Sequence, residues 1–375
     1  MKILILNYEY PPIGGGAAPV SRDISEELKK CGDEIVVVSM SWGDLPYYSV
    51  ENGVTVYRLD CKRKRKDTCT PIEQYNYIRA VRRFMKEHQE LQSYDVCHAH
   101  FVIPTGQAAY ENKKKYGIPF IITVHGSDVE GHNKRFSVKV MHRLLRHGWR
   151  RIVDSAGCVV SPSLYIKQRM ERNYPNGKYY YIPNGADHAF YRSLNKPEMK
   201  EKRILIMGRI QKFKNVQFIM DVIKIILREP YFYGWVVDIV GDGPYRAEIE
   251  KIIDDNGLSD VVCMHGWIDN KSSQLKRILS RAAIYISASS FENCPMSVIE
   301  ATLAGCYPLV SDIPAHRQML EGKYRFSLDT YTELAKKLKQ AIQMQNRSEF
   351  LPEMSGYDGK KVTKEYRNLL GKYKR

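Results

Sequence analysis

The sequence predicts an α/β protein built from two doubly wound parallel-sheet domains in series. Three observations carry that reading. Short β-branched runs alternate with stretches of helical periodicity, the series occurs twice, and glycine-rich turns stand where strands give way to helices. At 375 residues the chain is too long for one ordinary domain and suits two of roughly 180.

In the first series, strands are predicted at 2–7, 34–39, 54–59, 95–99, 120–124, 158–161 and 179–182. Helices are predicted near 17–31, 74–90, 105–116, 136–154 and 163–173. In the second, strands at 203–207, 236–240, 261–264, 284–287 and 307–310 alternate with helices near 215–228, 244–257, 271–281 and 295–305. Val216, Ile219, Ile223, Ile226 and Leu227 show the helical spacing. The polar stretch 183–202, with Pro183, Asn184, Gly185 and Pro197, marks the join, giving domains of 1–185 and 186–357. Residues 330–375 are helical in pattern. A stripe of Tyr366, Leu369, Leu370 and Tyr373 marks a tail helix at about 358–375, and such a tail often closes a two-domain fold by packing back on the first domain. Two such Rossmann-like domains leave a central cleft between the carboxyl ends of two sheets, where ligands of open α/β sheets bind.

Composition excludes several classes. Hydrophobic residues at 43% and charged residues at 27% fit a globular protein rather than a disordered one. No apolar run approaches the ~20 residues of a membrane span. The opening run Met1–Leu6 is too short for a signal peptide and reads as a buried first strand, so a cytoplasmic protein is expected. The eight cysteines form no Cys-x-x-Cys pair and no zinc spacing, and Cys97 and Cys158 sit in apolar runs as small core residues do. The net charge of +16 is shared by both halves: residues 1–183 carry 28 Lys and Arg against 19 Asp and Glu. That balance suits phosphorylated substrates, anionic lipid or nucleic acid, with general solubility as the plainer reading.

Several turns carry chemistry. The loop from Asn7 to Gly16 follows the first strand and precedes a helix. Its glycines, Gly14, Gly15 and Gly16, let backbone N–H groups approach an anion, although a flexible loop has the same composition. It is not the dinucleotide fingerprint, since Pro19 stands at the last glycine position, which disfavours a Rossmann oxidoreductase. Nor is it a P-loop. His125-Gly126-Ser127-Asp128 follows a strand and places His125 for a substrate hydroxyl or phosphate; the alternative is a loop in which Asp128 caps a helix and His125 merely packs. Gly208 opens a loop carrying Arg209 and Lys214, two cations able to clamp a diphosphate and neutralise a leaving phosphate. Gly241-Asp242-Gly243-Pro244 is a second such turn, and Trp267 is a candidate wall for a base.

The most informative segment runs from Glu292 through Pro295, Met296 and Ser297 to Glu300. Glu292 stands at a helix entry, where free N–H groups attract phosphate. Met296, Ile299 and Leu303 are the expected buried stripe, leaving Glu300 off the core. Carboxylates accept hydrogen bonds from vicinal hydroxyls, so the pair suits a ribose or a hexose; two solvated glutamates is the plainer alternative.

Together these motifs resemble the retaining family 4 (group 1) glycosyltransferases of GT-B fold. The match runs in order along nearly the whole chain: the glycine loop, His-Gly-x-Asp at 125–128, Ile-Pro-Asn-Gly-Ala-Asp at 182–187, Gly-Arg-x4-Lys at 208–214, Gly-x-Gly-Pro at 241–244 and Glu-x7-Glu at 292–300. The resemblance implies transfer of a hexose-type sugar from a UDP- or GDP-type donor to a lipid-linked or polysaccharide acceptor in surface glycan biosynthesis. It implies that Arg209 and Lys214 bind the diphosphate, that Glu300 holds the ribose, and that Glu292 lies near the donor sugar. His125 would contact that sugar from the other domain, with Gly15 and Gly16 near the phosphates or acceptor. Gly208, Gly243, Trp267, Met296 and Ser297 complete the expected donor-binding set. No metal and no cofactor are expected, the nucleotide sugar being a co-substrate, and the leaving phosphate oxygen would take the acceptor proton.

Two departures stand out. Asn293-Cys294-Pro295-Met296 replaces the frequent Gly-Phe-Gly-Leu, and Pro295 lacks an N–H for the sugar. Asn215 stands where glycine is frequent. A GT-B epimerase or phosphorylase is the main alternative. A nucleic-acid binder explains the charge but not the glutamate pair, and no nucleic-acid partner is expected.

From 131 to 153 there is no acid and there are seven Lys or Arg. Arg143, Arg146, His147 and Arg150 share one helical face, and Met141, Leu145, Gly148 and Ile152 another. With Trp149, and with the basic run at 62–66, this suits docking on an anionic membrane surface. The alternative is a helix packed on its own sheet with a solvated basic face.

Overall fold

The computed structural model describes residues 1–66, 68–126, 128–130, 136–270 and 272–375, with only the backbone of 136–145. The chain divides into two compact units, Met1–Gly185 with Gly359–Arg375, and Ala186–Asp358.

The first unit holds strands β1 (Lys2–Leu6), β2 (Glu34–Met40), β3 (Tyr48–Glu51), β4 (Val54–Leu59), β5 (Val96–His100), β6 (Phe120–Thr123), β7 (Val159–Ser161) and β8 (Tyr179–Tyr181). Its helices are α1 (Ala17–Lys30), α2 (Pro71–Glu87), α3 (Gln107–Tyr116), α4 (Phe136–Ser155) and α5 (Leu164–Asn173). The sheet order is β3-β4-β2-β1-β5-β6-β7-β8, parallel except for β3. β1 and β5 are buried along almost their whole length, as parallel strands covered on both faces must be. The antiparallel β3 was not predicted. Its signal is Asn52-Gly53, two residues at φ +50° and +82° that make the tight turn into β4.

The second unit contains α6 (His188–Ser193), β9 (Arg203–Met207), α7 (Val216–Ile226), β10 (Val236–Val240), α8 (Arg246–Asp255), β11 (Val262–Gly266), α9 (Ser273–Arg281), β12 (Ile284–Ser287), α10 (Met296–Leu303), β13 (Tyr307–Ser311), α11 (Pro314–Met319), β14 (Arg325–Phe326) and α12 (Tyr331–Gln343). Its strands are all parallel in the order β11-β10-β9-β12-β13-β14. Strand order reverses between β1 and β5 in one sheet and between β9 and β12 in the other. Loops leaving those strands therefore emerge at a switch point, the place where open α/β sheets bind ligands.

The predicted helical stretch 330–375 is two helices. α12 ends before Asn346, which is left-handed at φ +52°, and α13 (Gly359–Tyr373) begins after the break. α13 packs on α1, β5 and β6 and buries Tyr366, Leu369 and Leu370. Among the described residues no helix is long and apolar enough to cross a membrane. All eight cysteines are free, five of them buried, Cys97 and Cys158 included.

The fully buried Asp33 side chain anchors the tail helix. It accepts from Arg367 Nε at 2.7 Å and from the Met1 ammonium at 2.8 Å. Burial alone would raise this carboxyl, but the two cations outweigh it and hold it below its usual range. Asp33→Asn is expected to cost about 2 kcal/mol at pH 7. Because the folded value is depressed, the wild-type contribution is complete above about pH 4 and disappears as pH falls through the depressed value. Thermal unfolding at pH 7 and pH 3 should show the two proteins converging at the lower pH; equal stability at pH 7 contradicts the anchor.

Candidate active site

In the second unit, the loops after β9 and β12 leave the switch point side by side. The β9 loop begins at Gly208, whose φ of +145° side-chain-bearing residues rarely adopt. The turn after β10 braces it. Gly208 N–H donates to the Val240 carbonyl at 2.9 Å and Ile210 N–H to the Asp242 carbonyl at 2.8 Å. Glycine is required for this approach: a Cβ on Gly241 would lie 1.9 Å from the Gly208 oxygen, and one on Gly243 2.2 Å from the Ile210 oxygen. Gly243, expected as a donor contact, is placed as the surface on which the cation loop packs.

Lys214 closes a single helical turn, and Asn215 then adopts the left-handed conformation at φ +49°. Asparagine tolerates that conformation better than most residues, which accounts for its standing where glycine is frequent. Asn215 Nδ2 donates to the Ala288 carbonyl at 3.0 Å and Ser290 N–H to the Phe213 carbonyl at 2.8 Å, tying the two loops together.

Across that seam Lys214 Nζ donates to Glu292 Oε1 at 2.5 Å, and Ser289 Oγ donates to the same oxygen at 2.7 Å. The side chains are 19% and 13% exposed, so this is a largely desolvated ion pair. Burial pushes the Glu292 carboxyl up, and the neighbouring ammonium more than offsets it, leaving the carboxyl below its usual range. Gly208, Arg209, Lys214, Ser287, Ala288 and Ser289 line one cavity. The structure thus gathers Gly208, Arg209, Lys214 and Glu292.

Glu300 differs from expectation. It is 7% exposed, and Val298, Ile299, Ala301, Thr302 and Leu303 around it are buried as well. α10 contacts α6 as well as β12 and β13, so it is covered on more than one face. Met296 and Ser297 open α10, which no side chain caps, and Ser297 Oγ accepts from Tyr285 at 2.8 Å. Trp267 is 62% exposed, directly after Gly266, whose carbonyl accepts from Gly241 N–H at 2.7 Å.

Sequence reasoning missed Ser289 and His316. Ser311 Oγ donates to the Ser289 carbonyl at 2.5 Å, while the fully buried His316 sets Nδ1 2.7 Å from the Ser311 carbonyl. Ser287 and Ser289 at the exit of β12 were the available signal, polar residues closing an apolar strand at a switch point.

In the first unit the glycine loop wraps a carboxylate of its own chain. Gly15 N–H donates to Glu9 Oε2 at 3.1 Å, so the amide expected to meet an anion meets Glu9. Gly14, at φ +99°, sits where a Cβ would come 2.5 Å from Glu9 Cβ. Gly16 leads into α1, and a Cβ there would meet nothing within 4 Å. In the basic run, Arg63 is buried and donates to the Tyr8, Arg65 and Lys66 carbonyls, a brace rather than a docking group; Lys62, Lys64 and Arg65 are exposed.

His125 follows β6 and is half-buried. Its N–H donates to Asp128 Oδ1 at 3.0 Å, and Val102 N–H donates to Oδ2 of the same carboxylate at 3.0 Å. Asp128 therefore joins the loops after β5 and β6, and does not cap α4, which starts at Phe136. The His125 ring stands 4.6 Å from the Phe101 ring, with Nε2 3.0 Å from His100 Nδ1. Burial pushes Asp128 up to about 6 and His125 down to about 3, so the imidazole is neutral at pH 7.

The basic helix is corrected at one residue. Trp149 is 3% exposed and packs in the core with Ile152 and Val153, so it is no membrane anchor. An apolar helix face beside its own sheet buries its large ring there. Arg146 and Arg150 are exposed, with Arg146 3.7 Å from Glu130, and the side chain of Arg143 lies outside the described residues.

Comparison with known proteins decides the family. The family profile for Glycosyltransferase Family 4 matches residues 14–190, and that for Glycosyl transferases group 1 matches residues 188–356. The chain is a group 1 glycosyltransferase. Over 339 residues it is 25% identical to the UDP-Gal:alpha-D-GlcNAc-diphosphoundecaprenol alpha-1,3-galactosyltransferase of Escherichia coli, covering 86% of this chain and 83% of that one. It is 23% identical to the alpha-monoglucosyldiacylglycerol synthase of Acholeplasma laidlawii, covering 83% and 80%. The Anabaena protein HepE, solved with UDP and glucose, superposes with a TM-score of 0.72 over 99% of this chain and 100% of that one at 16% identity. The glycosyltransferase has the GT-B fold.

Replacing Lys214 by Met in this glycosyltransferase isolates the Glu292 charge. The carboxyl should move from below to above its usual range, costing about 3 kcal/mol at pH 7. The sign of its pH dependence should also reverse. The wild-type pair is lost as pH falls below about 4, whereas the variant should gain stability as pH falls from 7 and Glu292 protonates. Unfolding followed from pH 4 to 7 checks this; parallel curves contradict it.

Proposed function

We propose that the enzyme transfers a hexose-type sugar, with retention of configuration, from a nucleoside diphosphate donor to a lipid-linked or polysaccharide acceptor in glycan biosynthesis. The observation that carries the reading is the Lys214–Glu292 pair beside Arg209 at the β9/β12 switch point. A diphosphate brings the negative charge for which Lys214 and Arg209 are suited, and Glu292 then stands near the sugar, where carboxylate charge stabilises a positive anomeric carbon. Glu300 is assigned to the ribose, the open amides of Met296 and Ser297 to donor oxygens, and Trp267 to the base. His125 is assigned to the donor sugar and Gly16 to phosphate or acceptor. Two relatives, one named as a UDP-galactose enzyme and one as a glucolipid synthase, support a UDP-type donor and a lipid-linked acceptor.

In the transfer step the bond from the anomeric carbon to the phosphate oxygen breaks as the acceptor oxygen bonds to that carbon on the same face. The acceptor proton passes to the leaving phosphate oxygen. The two cations supply the charge this leaving group needs, and turnover is expected to persist in EDTA.

A panel of nucleotide sugars should raise the melting temperature selectively, and NMR of the product should show the donor's α configuration. Arg209→Ala, at a half-buried position, should lose about 100-fold in kcat with the fold intact. Unchanged turnover in that variant counts against the role of Arg209, and release of the nucleotide without an acceptor argues for an epimerase or phosphorylase instead.

Arg146 and Arg150, with Lys62, Lys64 and Arg65, are proposed to meet an anionic membrane surface from the cytoplasmic side. Sedimentation with anionic vesicles should fall steeply between 50 and 500 mM salt, about as screening demands. No binding at either concentration removes this part.

A further inference from the structure

Two histidines that the proposed chemistry does not use stand behind His125. His98 and His100 lie on one face of β5, both 0% exposed, with rings 4.3 Å apart. Among the described residues, His98 Nδ1 and His100 Nε2 are buried without hydrogen-bond partners. Burial pushes His98 and His125 down to about 3 and His100 well below its usual value, so each ring is neutral and carries one N–H.

Between His100 Nδ1 and His125 Nε2, at 3.0 Å, only one nitrogen holds the proton. Were His125 the donor, the His100 proton would sit on Nε2, a buried N–H with no acceptor. With His100 as the donor, Nε2 keeps only a lone pair. A stranded buried donor is the costlier and rarer of the two. His98 obeys the same logic: Thr123 Oγ1 donates to the Tyr366 hydroxyl at 3.2 Å and lies 2.8 Å from His98 Nε2, which therefore donates to it and leaves a lone pair on the buried Nδ1.

We propose that His100 is a positioning residue whose Nδ1–H donates to His125 Nε2, fixing His125 as the tautomer protonated on Nδ1. His125 then offers the substrate a hydrogen-bond donor, matched to a sugar or phosphate oxygen, and cannot act as a base at that nitrogen. This rests on the assignment of His125 to the substrate.

Long-range proton–nitrogen spectra of the full chain labelled with ¹⁵N-histidine, with His125 identified through His125→Gln, read the tautomer without turnover. A protonated Nδ1 is expected in His125, and a protonated Nε2 overturns the proposal. His100→Asn sets an amide nitrogen where Nδ1 lies, whereas His100→Gln sets it where Nε2 lies. With folding checked by thermal unfolding, Asn should keep kcat within a few-fold. Gln should lose on the order of tenfold, the worth of one hydrogen bond, at unchanged acceptor KM. Equal kcat in two folded variants overturns the positioning role. Absence of any transfer activity sinks the assigned function and leaves the tautomer result to stand or fall by its spectrum.

Discussion

The ion pair between Lys214 and Glu292 is the constraint around which the second unit's site is built. Either charge alone, this far from water, would cost several kcal/mol. Together, with Ser289 on the same carboxylate oxygen, they are tolerated, and they join the β9 loop to the β12 loop. A pair of this kind is poised for exchange. On the proposed reading an incoming diphosphate competes with Glu292 for the ammonium, and the carboxylate is released toward the sugar as the phosphates are taken up. Removing either partner therefore changes stability as well as chemistry.

The surrounding structure holds that pair in register. Gly241 and Gly243 let the β10 turn press against the β9 loop at distances no side chain would permit, and Asn215 supplies the left-handed step that returns the chain into α7. Behind the β12 loop, Ser311 and His316 fix the Ser289 backbone. The first unit uses a different device. Asp128 bridges the backbone N–H groups of two loops, and neutral histidines stack behind the half-buried His125 ring.

Most of the fold was legible in the sequence because parallel strands buried on both faces are apolar runs bounded by turn residues. The ranges for β9, β10 and β12 were read to the residue. What escaped was short or ambiguous: the four-residue β3, the two-residue β14, and the six-residue α6 and α11 carry too few residues for periodicity to show. The continuous reading of 330–375 failed because it passed over Pro352 and Gly356, two helix breakers inside the stretch. At the site, charged residues beside glycines at strand exits were legible, since few other roles explain them. Burial was not. Glu300 sits on a helix covered from more sides than a single apolar stripe indicates, Trp149 lies on the sheet-facing side of α4, and Gly15 meets Glu9, a partner six residues upstream that only the folded loop brings near. Ser289, His316 and His100 act through other residues, and spacing alone does not reveal such second partners.

The most direct measurement is a crystal structure of the enzyme with whichever nucleoside diphosphate stabilises it most. The account predicts diphosphate oxygens within about 3 Å of Arg209 and Lys214, with Lys214 drawn away from Glu292. A nucleotide seated elsewhere, with the Lys214–Glu292 contact undisturbed, would contradict it.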